Sequence, residues 1–166
     1  ANYRSNSGAA GTAGQGNKGG NSVANNYLGG SGGGGYSSAG VDKPYLNTNA
    51  DYSGTAGGNG ATIYGRSVGG GGGGSGLLFD QAYSGIVCSG GLGGTGGGGN
   101  GACTPTNPVN LTAFNADYRV GATDGTVNSG GGGGGCFTTD ITGATFGSNG
   151  GSGIVVVRYT RAQVGG

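Results

Sequence analysis

Glycine recurs at every third position in several separate clusters of this chain, and no other feature constrains its fold as strongly. In the stretch CSGGLGGTGGGGNGAC, residues 88–103, the glycines at this spacing are Gly90, Gly93, Gly96 and Gly99. Further clusters with the same spacing begin at Gly8, Gly29, Gly54, Gly70, Gly130 and Gly147. Because 50 of the 166 residues are glycine, some matches arise by chance, but the other residues mostly avoid one edge of a three-fold helix.

A left-handed extended helix with three residues per turn explains this spacing. Such a helix, of the polyproline II type, forms no internal hydrogen bonds, so its buried N–H and C=O groups must pair with neighbouring segments. Glycine at every third position leaves one edge without side chains, and neighbouring helices can approach there. The sequence therefore predicts a mostly non-helical bundle or sandwich of polyglycine-II-like helices with a few short β-strands. The alternative is that the glycines form irregular tight turns between strands.

The stretch 88–103 is predicted to be one straight bar of about four turns of this helix. We expect the packed edges of the bundle to include the scaffold glycines Gly90, Gly93, Gly96, Gly99, Gly130 and Gly133. Cys88 and Cys103 are the closest pair among the three cysteines, which makes them a possible disulfide. Spacing alone does not decide the connectivity, and one thiol is left over.

Several segments between the glycine clusters are rich in β-branched and aromatic residues, which predicts β-strands. The clearest is GIVVVRYT, residues 153–160; both of its faces are apolar, so we expect a strand buried on both sides. Other predicted strand regions are residues 61–68, 76–90 and 109–120. No segment shows an apolar period of 3.6 residues, which predicts essentially no α-helix.

The length of the chain suits a single glycine-rich domain over residues 1–166. The tetrapeptide NADY occurs twice, and a run of glycines follows each copy, at residues 69–74 and 130–135. This arrangement indicates two related units, at about 29–76 and 90–135, followed by the C-terminal strand 153–160.

The composition argues against an enzyme. His and Glu are absent and the aspartates are scattered singly, so the usual general acids and bases are missing. Three cysteines without histidine or a CxxC spacing do not make a zinc site. We therefore expect no catalytic, cofactor-binding or metal-binding residues. A net charge of +1 argues against nucleic acid as a partner, and the lack of a long apolar run argues against membrane insertion.

Tyrosine is the residue type that indicates binding. The chain has 9 tyrosines, many of them beside Gly, Ser or Asn, and this composition recurs in binding loops because tyrosine offers contact area at low entropic cost. The candidate receptor or partner contacts are Tyr27, Tyr36, Tyr45, Tyr52, Tyr64 and Tyr118. The alternative is that these rings pack over the edges of the glycine scaffold and seal them.

The segment GSNGGSGIVVVRYT, residues 147–160, resembles the glycine-rich domain of bacteriophage tail-fibre adhesins and related virion surface proteins. In that family, glycine motifs form a polyglycine II sandwich and the loops between them contact the host receptor. The resemblance implies a virion-surface or extracellular protein whose tyrosine-bearing loops bind a host cell-surface receptor, either a protein or a glycan.

Two other functions fit parts of the sequence. The first is a self-assembling subunit of an extracellular filament, a homo-oligomer in which exposed backbone groups pair with the next copy and the odd cysteine links copies. The second is an ice-binding protein, which would need a flat, regular Thr/Ala face that the sequence does not show.

Overall fold

The computed structural model of the chain describes residues 4–24, 29–44, 53–76, 89–103, 121–136 and 147–164. Strand β1 (Arg4–Asn6) pairs antiparallel with β2 (Ser22–Ala24), and β3 (Ala61–Ile63) pairs antiparallel with β4 (Arg66–Val68). A 3-10 helix covers Arg161–Val164. These ranges contain no α-helix and only these short strands, which agrees with the mostly non-helical fold predicted from the sequence.

Residues 61–68 form a β-hairpin rather than the single strand expected there. Ile63 pairs with Arg66, so Tyr64 and Gly65 form a two-residue turn between β3 and β4. Both turn residues have positive φ, 52° for Tyr64 and 76° for Gly65, as in the type I′ turns that match the twist of hairpins. Glycine adopts this conformation freely, whereas a bulky residue such as tyrosine is strained in it.

Many of the remaining described residues lie in segments that hydrogen-bond to one another through their backbones at intervals of three residues. We call residues 69–76 the central segment. The segment 29–36 donates to it at this interval, in the pairs Gly30–Ser75, Gly33–Gly72 and Tyr36–Gly69, at 2.6–2.8 Å. The central segment donates in turn to residues 96–102, in the pairs Gly70–Gly96, Gly73–Gly99 and Gly76–Ala102, at 2.8–3.0 Å. A β-strand would repeat every two residues instead.

The central segment forms the core of the described part of the molecule. Residues 70–76 are all buried, and backbone hydrogen bonds join the segment to neighbours on several sides: residues 29–36, 53–60, 89–95, 96–103 and 130–136. The buried hydrophobic residues in the described ranges are only Ala102 and Cys103. The interior of this part of the chain is therefore made of polypeptide backbone rather than of apolar side chains.

Close approach of the backbones explains why these positions are glycine. A Cβ built at Gly73 would lie 1.9 Å from the carbonyl oxygen of Gly91, a distance that no side chain could tolerate. Four of the predicted scaffold glycines have the same surroundings, with a Cβ position 1.8–2.2 Å from a backbone oxygen: Gly90, Gly93, Gly99 and Gly133. The other two, Gly96 and Gly130, lie in turns and have positive φ.

The expectation of one straight bar over residues 88–103 is wrong. A turn at residues 95–97 reverses the chain, and Gly96 and Gly97 adopt φ of 96° and 94°. The two arms run antiparallel, and the amide of Gly101 donates to the carbonyl of Gly91 at 2.8 Å. Glycine enters this region of φ at no steric cost, so the same run of glycines that permits close packing also permits the reversal.

The expectation of a strand buried on both faces at residues 153–160 is also wrong. This segment pairs with no described strand, and Val155 and Val157 are 89% and 76% exposed. The run of β-branched residues suits a pleated, half-buried surface. Burial of both faces needs a covering layer on each side, and the described chain provides none there.

Cys103 is buried and takes part in a disulfide bond, whereas Cys136 is a free, partly exposed thiol. Cys88, the partner predicted for Cys103, lies outside the described residues, so this pairing stays a prediction. The predicted strand region 109–120 and most of 76–90 also lie outside the described residues. The proposed division into two related units stays a prediction as well.

Candidate binding site

A cleft of about 420 Å³ lies between the β3–β4 hairpin and the residues that follow Gly153. Side chains from both elements line it: Ile63, Tyr64, Arg66, Val68, Ile154 and Val156. The glycine scaffold holds the hairpin at both ends, because the amide of Gly60 donates to Thr95 at 2.6 Å and the amide of Gly69 donates to Ser129 at 2.9 Å. The cleft is therefore mostly apolar and is built on residues fixed by the scaffold.

Tyr64 lies at the turn of the hairpin, and 63% of its surface is exposed. The guanidinium carbon of Arg158 lies 4.5 Å from the centre of its ring, which is a cation–π contact between the hairpin and the C-terminal residues. The positive φ of Tyr64 costs about 1–3 kcal/mol, because the residue is not glycine. An exposed aromatic residue that is strained contributes little to packing, and such residues cluster at functional sites.

Tyr36 lies beside Gly69, the residue that directly follows strand β4. Its amide donates to the carbonyl of Gly69 at 2.8 Å, and a Cβ built at Gly69 would lie 3.0 Å from the Cβ of Tyr36. Gly69 also lines the cleft, so the partly exposed ring of Tyr36 adds aromatic surface next to it. Of the predicted contact tyrosines, Tyr64 thus lines the cleft, and Tyr36 lies next to Gly69, which also lines it.

The other predicted contact residues, Tyr27, Tyr45, Tyr52 and Tyr118, lie outside the described residues. Sequence reasoning missed Arg158 and Val156 as members of the site, because it assigned them to a buried strand. The apolar residues of 153–160 would have indicated a binding surface only if their exposure had been known.

Arginine supplies the charge of this site, since Arg66 lines the cleft and Arg158 lies over Tyr64. Aromatic rings offer contact area, and guanidinium groups offer several hydrogen-bond donors in a fixed geometry.

Among the described residues, no group of His, Cys, Asp or Glu is arranged to hold a metal ion. In the same ranges, no helix has the length and apolarity needed to cross a membrane.

The chain matches no protein-family model, no curated protein and no solved structure.

Proposed function

We propose that this chain is a non-enzymatic adhesive protein of a virion surface or extracellular structure. In this proposal a rigid polyglycine II scaffold displays exposed aromatic residues to a host cell-surface receptor. The observation that carries the proposal is Tyr64, an exposed aromatic residue held in a strained conformation beside an apolar cleft.

Two features of the backbone support the polyglycine II scaffold. Hydrogen bonds between segments recur at every third residue, which is the period of this helix. The Cα atoms of interior glycines also lie against carbonyl oxygens of neighbouring segments, as Gly73 does against Gly91, and such contacts act as weak Cα–H···O hydrogen bonds. A segment that is bonded to several neighbours is rigid, because no single contact has to hold it.

The exposed surface near the cleft supports the adhesive role. Val155, Val157 and Tyr159 are exposed on the chain that continues from the cleft wall, so apolar surface extends beyond the cleft itself. Exposed apolar patches of this kind mark interaction sites in soluble proteins. The resemblance of residues 147–160 to tail-fibre adhesins supports a host receptor, protein or glycan, as the partner.

Binding of the fluorescently labelled protein to a panel of bacterial strains tests this function. We expect saturable binding to a subset of the strains. Tyr64→Asn removes the ring but introduces a residue that favours positive φ at this turn position, so the hairpin should stay folded. We expect this variant to bind at least about tenfold more weakly, which corresponds to about 1.4 kcal/mol.

Leu92→Asn is the matched control, because Leu92 is also an exposed apolar residue, 68% accessible, and does not line the cleft. This variant should bind cells as the wild type does, and thermal melts should show that both variants are folded. Equal binding by Tyr64→Asn and the wild type would contradict the role proposed for the cleft.

A further inference from the structure

A second cavity, of about 540 Å³, forms a groove along the central segment. Residues 71–75 line its floor, and the segments 30–34 and 132–136 line its two sides. No described residue that lines the groove has a side chain larger than serine or cysteine. The groove therefore presents backbone groups to whatever enters it.

Two amides on the floor of the groove, those of Gly72 and Ser75, donate no hydrogen bond to the described part of the chain. The other amides of the central segment all donate to backbone carbonyls: Gly69, Gly70, Gly71, Gly73, Gly74 and Gly76. A Cβ built at Gly33 or Gly132, on opposite sides, would lie 3.4 or 3.0 Å from the nitrogen of Gly72. This amide therefore lies between the two sides of the groove, where a carbonyl acceptor would satisfy it.

Two glycines along the sides of the groove, Gly33 and Gly135, are not required by close contacts within the chain. The Cβ position at Gly33 is 3.4 Å from the nearest neighbouring atom, and at Gly135 it is 3.3 Å away. The corresponding distance at Gly134, which faces the interior, is only 1.7 Å. Alanine would fit at Gly33 and Gly135 with a slight shift, so glycine there keeps the groove open for another backbone.

Residues 147–153, which we call the edge segment, offer complementary acceptors. The edge segment donates to the scaffold through the amides of Ser148 and Gly151, at 3.3 and 2.7 Å. The carbonyls of three exposed glycines in it accept no hydrogen bond from the described residues: Gly147, Gly150 and Gly153. Residues three apart are separated by about 9 Å in an extended helix that rises about 3.1 Å per residue.

We propose that the groove of one copy of this chain binds the edge segment of a second copy. Carbonyls spaced three residues apart on the edge segment accept hydrogen bonds from the amides of Gly72 and Ser75, which have the same spacing. The net charge of +1 creates little repulsion between copies. Groove and edge segment are different surfaces of one molecule, so the contact is head-to-tail and builds a ring or a filament. This association does not depend on host binding.

Sedimentation equilibrium over a concentration series tests this contact with variants that block each surface separately. Gly33→Ala adds a methyl group at the groove, and Gly150→Ala adds one on the edge segment, where the nearest neighbouring atom is 3.3 Å away. The wild type should self-associate, and each variant should raise the dissociation constant at least about tenfold. An equimolar mixture of the two variants should form heterodimers, because it retains one intact groove and one intact edge segment.

Gly16→Ala is the control, since Gly16 does not line the groove and its Cβ position is 3.7 Å from the oxygen of Gly35. It should associate as the wild type does, and thermal melts should show that all variants are folded. Cys136 lines the groove, so its reaction with a thiol reagent should slow at concentrations where copies associate. A wild type that stays monomeric throughout, variants that associate like the wild type, or a mixture without heterodimers would overturn the proposal.

Discussion

Gly73 lies buried in the central segment, where a Cβ would sit 1.9 Å from the carbonyl oxygen of Gly91. Gly16 lies in a more open position, where the nearest atom to a Cβ would be the oxygen of Gly35 at 3.7 Å. Neither residue has a positive φ, so neither needs to be glycine for its backbone conformation. At the residue scale, the space around each glycine therefore decides what a side chain would do.

This difference predicts opposite effects of the same substitution. Gly73→Ala should lower the free energy of unfolding by about 3 kcal/mol or more, because the added methyl group meets backbone that is fixed by its own hydrogen bonds. Gly16→Ala should raise it by about 0.4–1 kcal/mol, because alanine reduces the conformational entropy of the unfolded chain. Chemical denaturation measures both values, and similar effects of the two substitutions would contradict the packing described here.

Asp42 links two segments through Asn21, and we expect the stability that this link provides to depend on pH. Its carboxylate accepts hydrogen bonds from the backbone amide and the side-chain amide of Asn21, at 2.7 and 3.0 Å. These bonds, and then the nearby charge of Lys18, lower the pKa of Asp42 in the folded protein. The stabilisation of the folded protein by this link is therefore fully present above the unfolded pKa of about 3.9. It is lost as the pH falls through the lowered folded pKa.

An NMR titration tests this link. The Asp42 carboxyl should titrate below about 3.9, and the Asn21 amide resonance should shift with the same midpoint. Asp42→Asn should abolish that transition at Asn21 while leaving other acidic residues unaffected. A midpoint for Asp42 at or above the ordinary value would show that Asn21 does not stabilise the carboxylate.

At the scale of elements, a period of three in the central segment predicts that inserting one residue destabilises the protein more than inserting three. In the proposed polyglycine II helix, which has three residues per turn, one glycine inserted between Gly72 and Gly73 rotates the residues after it by about 120°. Their amides would then face the wrong neighbours. Three inserted glycines restore the orientation. The single insertion should therefore lower the free energy of unfolding by at least about 2 kcal/mol more, since each misplaced hydrogen bond is worth about 1 kcal/mol.

Urea denaturation of the two insertion variants and the wild type gives the comparison. In an irregular loop, the cost of an insertion grows slowly with its length, so the longer insertion would cost at least as much as the shorter one. That result would contradict a three-residue period in the central segment.

Predictions from the sequence failed where one residue type is compatible with more than one structure. The spacing of glycine predicted a mostly non-helical fold, but the same residue also permits turns, and this hid the reversal at Gly96 and Gly97. The dipeptide Tyr64–Gly65 does not have the usual composition of a hairpin turn, so residues 61–68 were predicted as one strand. The valines of 153–160 predicted burial, but the burial of a strand depends on whether another layer covers it.

At the scale of the whole molecule, the arrangement of the glycine segments could not be predicted from the sequence. Pairing is through backbone groups that are the same in every segment, so no side-chain pattern specifies that the central segment lies beside residues 29–36 or 130–136. The site was predictable only in part for a related reason. Tyr64 could be predicted because it is a tyrosine beside glycine, a composition typical of binding loops. Arg158 could not, because its contact with Tyr64 joins distant parts of the chain.

Amide hydrogen exchange across the central segment, resolved by NMR, tests the polyglycine II scaffold most directly. In dilute protein, where copies do not associate, we predict slow exchange at Gly70, Gly71, Gly73 and Gly74. The amides of Gly72 and Ser75 should exchange faster, because they face the groove and have no acceptor among the described residues. Two slow amides followed by one fast amide would show the predicted period of three. Alternation with a period of two, or uniformly fast exchange over residues 70–75, would contradict it.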